Sequence, residues 1–171
     1  MNYIRLFIPN SYVFITICTQ KRQKILIENI QCLRQSFKYA LSNFNFEITA
    51  AVINPEHFHL ILKTENIKDY PKITGIIKKH FTQTSGIEYS IKNNREADIW
   101  QRRYYEHTIR NEEDLYRHID YIHYNPVKHN LVSAPKDWEY SSFKKFVKQG
   151  LYEENWCNFN DKHGINTMNI E

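Results

Sequence analysis

A chain of 171 residues, 42% apolar and 15% aromatic, has the length and composition of one packed domain rather than of a disordered segment. Its 23 Lys and Arg against 19 Asp and Glu leave a formal charge of +4, too small to name a polyanionic partner, and its 4 Gly argue against a glycine-cradled nucleotide site. Three scattered cysteines, Cys18, Cys32 and Cys157, predict neither a disulfide framework nor a thiolate zinc site, and no window approaches the roughly 18 apolar residues of a membrane span, so a soluble cytoplasmic protein with no membrane partner is expected.

Residues 12–19, YVFITICT, are β-branched and aromatic and predict a strand, followed by the basic turn Gln20-Lys21-Arg22. From 29 to 43 the period changes: Ile30, Leu33, Phe37, Ala40, Leu41 and Phe44 recur at helical spacing. Residues 46–53, FEITAAVI, predict a second strand, and after Asn54-Pro55-Glu56 a third runs from His57 to Lys63. Ile73, Ile76, Ile77 and Phe81 then mark a second helix, from Lys68 to about Gln83. The polar stretch 85–98 reads as a loop, and Tyr104 to Ile109 as a fourth strand. Asn111 is a helix N-cap with Glu112, Glu113 and Asp114 in the first turn, where the helix dipole favours carboxylates. That helix is expected to stop near Asn125, because the residue before Pro126 is pushed out of the α region.

Strand, helix, strand, strand, helix, strand and a further helix is an α+β order. It predicts a ferredoxin-like antiparallel sheet with helices packed on one face. The whole chain, 1–171, reads as one domain, with 150–171 a loosely structured tail.

Two stretches carry candidate chemistry. In NPEHFHL, residues 54–60, strand alternation puts Phe58, Leu60 and Leu62 in the core and His57, His59 and Ile61 on the other face. The two imidazoles then have Cα atoms roughly 6.6 Å apart. They either share a metal ion or a phosphate oxygen, or are simply polar residues on an open sheet face. In DYIHYNPVKHNLV, residues 120–132, Tyr121 and Asn125 are four apart on one helix face, a phenol beside an amide oxygen that suits a hard metal. Tyr124 is a competing tyrosine three residues on, and His118 and His123 lie on other faces of the helix. Basic pairs at Lys21-Arg22, Lys78-Lys79, Arg102-Arg103 and Lys144-Lys145 are spread such that they either line one groove or are solvated singly.

Together these motifs resemble the REP-associated tyrosine transposases, a branch of the single-tyrosine HUH transposases. NPEHFHLIL resembles the family's HUH strand and HIDYIHYNPVKHNLV its catalytic-tyrosine helix. IKKHFTQTSG and IWQRRYYEHTIRNEEDL resemble the intervening helix and strand, and DWEYSSFKKFVKQGLYEENW the C-terminal segment, so the likeness runs from about residue 12 to 156. The resemblance implies a single HUH transposase-like domain in which His57 and His59 bind a divalent metal, Mg²⁺ or Mn²⁺, with Tyr121 as nucleophile and Asn125 as third ligand. Asn125 stands where related transposases carry Gln, and Asn130 where the family often has Gly; Asn tolerates the left-handed conformation.

The implied reaction is transesterification. Tyr121 attacks a phosphodiester of single-stranded DNA, forms a 5′-phosphotyrosine link and frees a 3′-hydroxyl that later rejoins strands, with no nucleotide cofactor. The implied substrates are imperfect hairpins of the repetitive extragenic palindrome (REP) type with a short flanking tetranucleotide, and the implied enzyme is a monomer rather than a homodimer, located at the nucleoid through DNA. Lys78, Lys79, Arg102 and Arg103 are the first choices for phosphate contacts, and Trp100, Tyr104 and Tyr105 are candidates for base stacking or core packing. Glu106 and His107 are candidate accessory residues near the metal. Two other readings use the same scaffold: a hairpin-binding protein without turnover, and a metal-dependent phosphodiesterase in which water replaces Tyr121.

Overall fold

The computed structural model describes residues 12–91, 98–161 and 164–165; the N-terminal segment and parts of the expected loop at 85–98 and tail at 150–171 lie outside these residues. Strands β1 (Tyr12–Cys18), β2 (Phe46–Ile53), β3 (His57–Thr64) and β4 (Tyr105–Thr108) form one antiparallel sheet in the order β2-β3-β1-β4. Helix α1 (Ile30–Asn43) joins β1 to β2, and α2 (Tyr70–Thr84) joins β3 to β4. This is the expected ferredoxin-like arrangement. Helix α3 (Glu112–Lys128) and the short α4 (Phe143–Lys148) follow. Among the described residues no helix is long and apolar enough to cross a membrane.

The strand period decides what each face buries. Val13, Ile15 and Ile17 of β1 and Phe58, Leu60 and Leu62 of β3 point to one side, where Leu33, Phe37 and Ala40 of α1 and Ile73, Ile77 and Phe81 of α2 close over them. Each such side chain contributes about 1.5–3 kcal/mol on burial. Leu41, expected on this face, is instead 47% exposed: it lies 100° around α1 from Ala40 and turns to solvent. Tyr70 and Pro71 open α2, where proline's missing N–H costs nothing.

The opposite face is not open. Phe14, Ala50, Val52 and Ile61 are covered by Ile119, Tyr121 and Ile122 of α3 and by Phe146 of α4. The outer edge of β2 is also protected, since Ile53 N–H donates to the Tyr140 carbonyl (2.8 Å) and Ser142 N–H to that of Ala51 (2.9 Å). Asn111 caps α3 as expected, its side-chain oxygen accepting from Asp114 N–H at 2.8 Å.

One boundary departs from expectation. Helix α3 does not stop at Asn125 but runs through Pro126 to Lys128. Asn125 is fully buried, and its side-chain oxygen accepts a hydrogen bond from Asn54, so tertiary contacts hold it helical against the pre-proline preference. The turn beyond closes through His129 N–H to the Asn125 carbonyl (3.0 Å) and Leu131 N–H to that of Pro126 (2.9 Å). Asn130 takes the left-handed conformation, φ 56°, that its side chain tolerates.

Candidate active site

His57 and His59 lie on the face covered by α3, and both are fully buried. Their rings stand edge to face with centroids 4.9 Å apart. Strand β3 sets the spacing; the groups behind each ring set its orientation. Glu56, one residue before β3, places Oε1 3.2 Å from His57 Nδ1, and Thr16 of β1, directly opposite His59 in the register, places Oγ1 2.7 Å from His59 Nδ1. The hydrogen bond with His57 is the main reason the Glu56 carboxyl lies below its usual range, against the opposing effect of burial.

Asn54 Nδ2, a donor, lies 3.0 Å from His57 Nε2, so Nε2 accepts and the ring proton sits on Nδ1, facing Glu56. Asn54 Nδ2 also donates to Asn125 Oδ1, which is 3.3 Å from His57 Nε2. Two acceptors thus meet 3.3 Å apart among fully buried side chains, with the His59 ring 4.9 Å from that of His57. A nitrogen, a second imidazole and an amide oxygen, backed by a carboxylate and a hydroxyl, match the ligand and outer-shell chemistry of a divalent cation. The residues present therefore fit a metal.

Tyr121 lies one turn before Asn125 on α3, with its ring 5.3 Å from that of His59 and 6.0 Å from that of Phe14. It is 1% exposed. Phe159, from the chain beyond α4, meets it edge to face at 5.9 Å and stacks on Tyr124 at the same centroid distance. Lys128 Nζ donates to the Tyr121 oxygen at 3.1 Å.

The other candidates separate into two regions. Glu106 is opposite Ile15 in the register and so shares the α1/α2 face, away from the paired histidines. His107 is opposite Phe14 and bonds Asp114 (Nε2 to Oδ2, 2.8 Å); its ring stacks on His118 at 4.7 Å. His107, Asp114 and His118 form a second cluster with atoms placed to hold a metal ion. Phe14 stands between it and the first site, stacked on His59 at 5.5 Å and tilted against His118 at 4.8 Å. Burial pushes His118 down to about 4 despite the neighbouring Asp114. Burial also raises the Asp114 carboxyl, but hydrogen bonds from His107 and the Arg110 N–H outweigh it and leave the group below its usual range. His123 faces away, against Phe143, Phe146 and Tyr152, where burial pushes it down to about 3.

Lys78, Lys79 and Arg102 line one groove of about 410 Å³, whose floor includes Gly75 and Trp100. Arg103 is exposed nearby in sequence but does not line it. Trp100 is a core residue, packed against Phe58 and Phe81 with its indole N–H donating to Thr82 and to the Lys78 carbonyl. The groove adjoins the histidine end of the sheet: Gln101 N–H donates to the Cys18 carbonyl (3.0 Å), and Cys18 pairs with His57.

Sequence reading missed Thr16, Asn54, Glu56 and Lys128. Thr16 faces His59 only once the strand register is known, and Asn54 and Glu56 read as an ordinary turn. Lys128 is two turns from Tyr121 on a helix expected to end before it.

A family model described as IS200-like transposase matches residues 8–125. A Haemophilus influenzae protein named as a REP-associated tyrosine transposase is 41% identical over 162 residues, covering 91% of this chain and 92% of its own. The chain belongs to the REP-associated tyrosine transposases. A member of the family from Escherichia coli is 36% identical over 157 residues, covering 91% of this chain and 90% of its own. A REP-associated tyrosine transposase solved bound to a REP hairpin superposes with a TM-score of 0.82 at 35% identity, covering 92% of each chain. Membership makes the protein an enzyme that acts on DNA.

Proposed function

We propose that this transposase cleaves and rejoins single-stranded DNA at imperfect, REP-like hairpins through a 5′-phosphotyrosine intermediate. The observation that carries this reading is the convergence of His57 Nε2, Asn125 Oδ1 and the His59 ring beside Tyr121, with each histidine backed by its own partner. His57, His59 and Asn125 are the metal ligands and Tyr121 is the nucleophile. A divalent cation held by these three side chains, Mg²⁺ or Mn²⁺, would supply Lewis acidity to the phosphate under attack. Asn54 fixes the amide of Asn125, and Glu56 and Thr16 fix the rings, so the ligand set is preorganised. The phenol oxygen of Tyr121 adds to phosphorus as the 3′-oxygen leaves, and the reverse step rejoins strands without nucleotide hydrolysis.

Lys78, Lys79 and Arg102 hold DNA phosphates in the groove at the histidine end of the sheet, and Arg103, the next residue in the chain and exposed, adds a phosphate contact outside it. The tyrosine and the histidines meet within one chain, which supports a monomer that uses its own helix. Residues 1–171 then act as one HUH transposase-like domain. Glu106 and His107 stand outside the metal set.

The test is incubation with a labelled single-stranded hairpin library and Mn²⁺ or Mg²⁺, followed by a denaturing protein gel. A covalent adduct that forms with wild type, disappears with chelator and is absent from Tyr121→Phe is the expected result. Metal-dependent cleavage that survives in Tyr121→Phe would replace this reading with a water-using phosphodiesterase, and binding without cleavage would replace it with a hairpin-binding protein.

A further inference from the structure

Tyr121 has rings on several sides: Phe14, His59 and Phe159. A fixed positive charge reaches it from the end of its own helix. Lys128 follows Tyr121 by seven residues, two turns, so the two share a face of α3. Its Nζ lies 3.1 Å from the Tyr121 oxygen and 4.9 Å from the ring centroid. A lysine at a helix C-terminus is favoured by the dipole wherever its side chain points. This one folds back along the helix onto the phenol of a residue that is 1% exposed.

The turn that carries Lys128 is built firmly. Pro126 fixes one backbone torsion, Asn130 N–H donates to the Val127 carbonyl (3.0 Å), and Leu131 N–H donates to that of Pro126 (2.9 Å). Lys128 therefore has a set relation to Asn125, three residues earlier, as well as to Tyr121. An ammonium group is a compact point charge with three donors. Such a group can bond a phenol oxygen and a phosphate oxygen at the same time.

We propose that Lys128 is a catalytic residue of strand transfer, its ammonium group holding the Tyr121 oxygen and a non-bridging oxygen of the phosphate under attack. This rests on Tyr121 being the nucleophile. In the step, the bond from Tyr121 oxygen to phosphorus forms and the bond from phosphorus to the 3′-oxygen breaks. The phenol proton leaves to solvent and the 3′-oxygen takes a proton from solvent. Lys128 remains an ammonium ion throughout and offsets the negative charge that builds on the phosphorane. Removing one preorganised donor of this kind costs about 10²–10³ in rate.

The experiment compares wild type, Lys128→Met, Lys128→Gln, Lys128→Arg and Tyr121→Phe, with Mn²⁺ and the hairpin oligonucleotide that wild type cleaves fastest from a library with randomised flanks. Adduct formation is timed at saturating DNA, hairpin affinity is measured separately, and thermal unfolding checks the fold. Methionine keeps an unbranched side chain of similar length without the ammonium group, so it isolates the charge should Lys128→Gln fail to fold. The expected result is a rate at least about 10²-fold lower in Lys128→Met at saturation, hairpin affinity close to wild type, and clear recovery in Lys128→Arg. A wild-type rate in Lys128→Met, a defect that vanishes at saturating DNA, or an arginine variant no better than methionine would overturn the proposal. Those results alongside an inactive Tyr121→Phe would remove only the role of Lys128. An adduct in Tyr121→Phe, or none in wild type, would remove the nucleophile itself.

Discussion

Acidification tests how α3, the helix that carries Tyr121, is held on the sheet. His118 sits one turn before Tyr121, stacked on His107, tilted against Phe14, and bonded through Nδ1 to the Asp114 carbonyl at 2.8 Å. Burial pushes it from the usual 6.5 down to about 4. Between those values the unfolded chain takes up a proton that the folded chain refuses. Stability from this group is therefore complete above pH 6.5 and is lost as pH falls toward 4. From pH 7.5 to pH 5 the loss is about 2 kcal/mol. With a urea dependence of about 2 kcal/mol per molar, that moves the unfolding midpoint by about 1 M. Urea titrations at the two pH values, on wild type and His118→Gln, isolate the effect from other groups that titrate in the same range. The wild-type midpoint should fall by about 1 M more than that of the variant. Equal falls in the two proteins would refute the idea that a buried neutral imidazole helps pin α3 to the sheet.

Three further outcomes are expected. Asn125→Leu should abolish adduct formation and cost about 1–3 kcal/mol of stability, because the buried Asn54 amide loses an acceptor; an active, fully stable variant would remove Asn125 from the site. Glu56→Gln and Thr16→Val should each weaken Mn²⁺ binding about 10- to 100-fold in calorimetric titrations while leaving the fold intact, and unchanged affinity would mean that the groups behind the histidines do not tune them. Lys79→Gln combined with Arg102→Gln should lower the slope of log affinity against log salt for hairpin binding by about 1.4–1.8, two phosphate contacts' worth; an unchanged slope would move the DNA path off this groove.

Much of this was legible in the sequence wherever a periodic pattern met a simple geometric rule. The alternation in HFHLILK placed Phe58, Leu60 and Leu62 in the core and the two histidines on the reverse face, as found. FEITAAVI marked β2 with both ends correct, and Asn111 marked the start of α3. Legibility ended where long-range packing overrode local preference. Pro126 signalled a helix end, but the buried amide contact of Asn125 carries α3 one turn further and so brings Lys128 into line with Tyr121. A face that would be open in a four-strand sheet is closed by that same helix, which turns two strand histidines into fully buried ones. Thr16 could not be singled out, because its partner His59 is 43 residues away and only the β1–β3 register joins them. His107, expected as an accessory residue near the metal, instead joins Asp114 and His118 in a cluster that Phe14 separates from the paired histidines.

Tyr121, beside His57, His59 and Asn125, is the group we propose to join covalently to DNA. The most direct measurement is to digest the metal-dependent protein–DNA adduct with nuclease and protease and locate the nucleotide by mass spectrometry. Tyr124, three residues on and stacked on Phe159, is the internal control. A 5′-nucleotide on Tyr121 is the predicted result. A nucleotide on Tyr124, or cleaved hairpin with no protein-bound nucleotide at all, would contradict it.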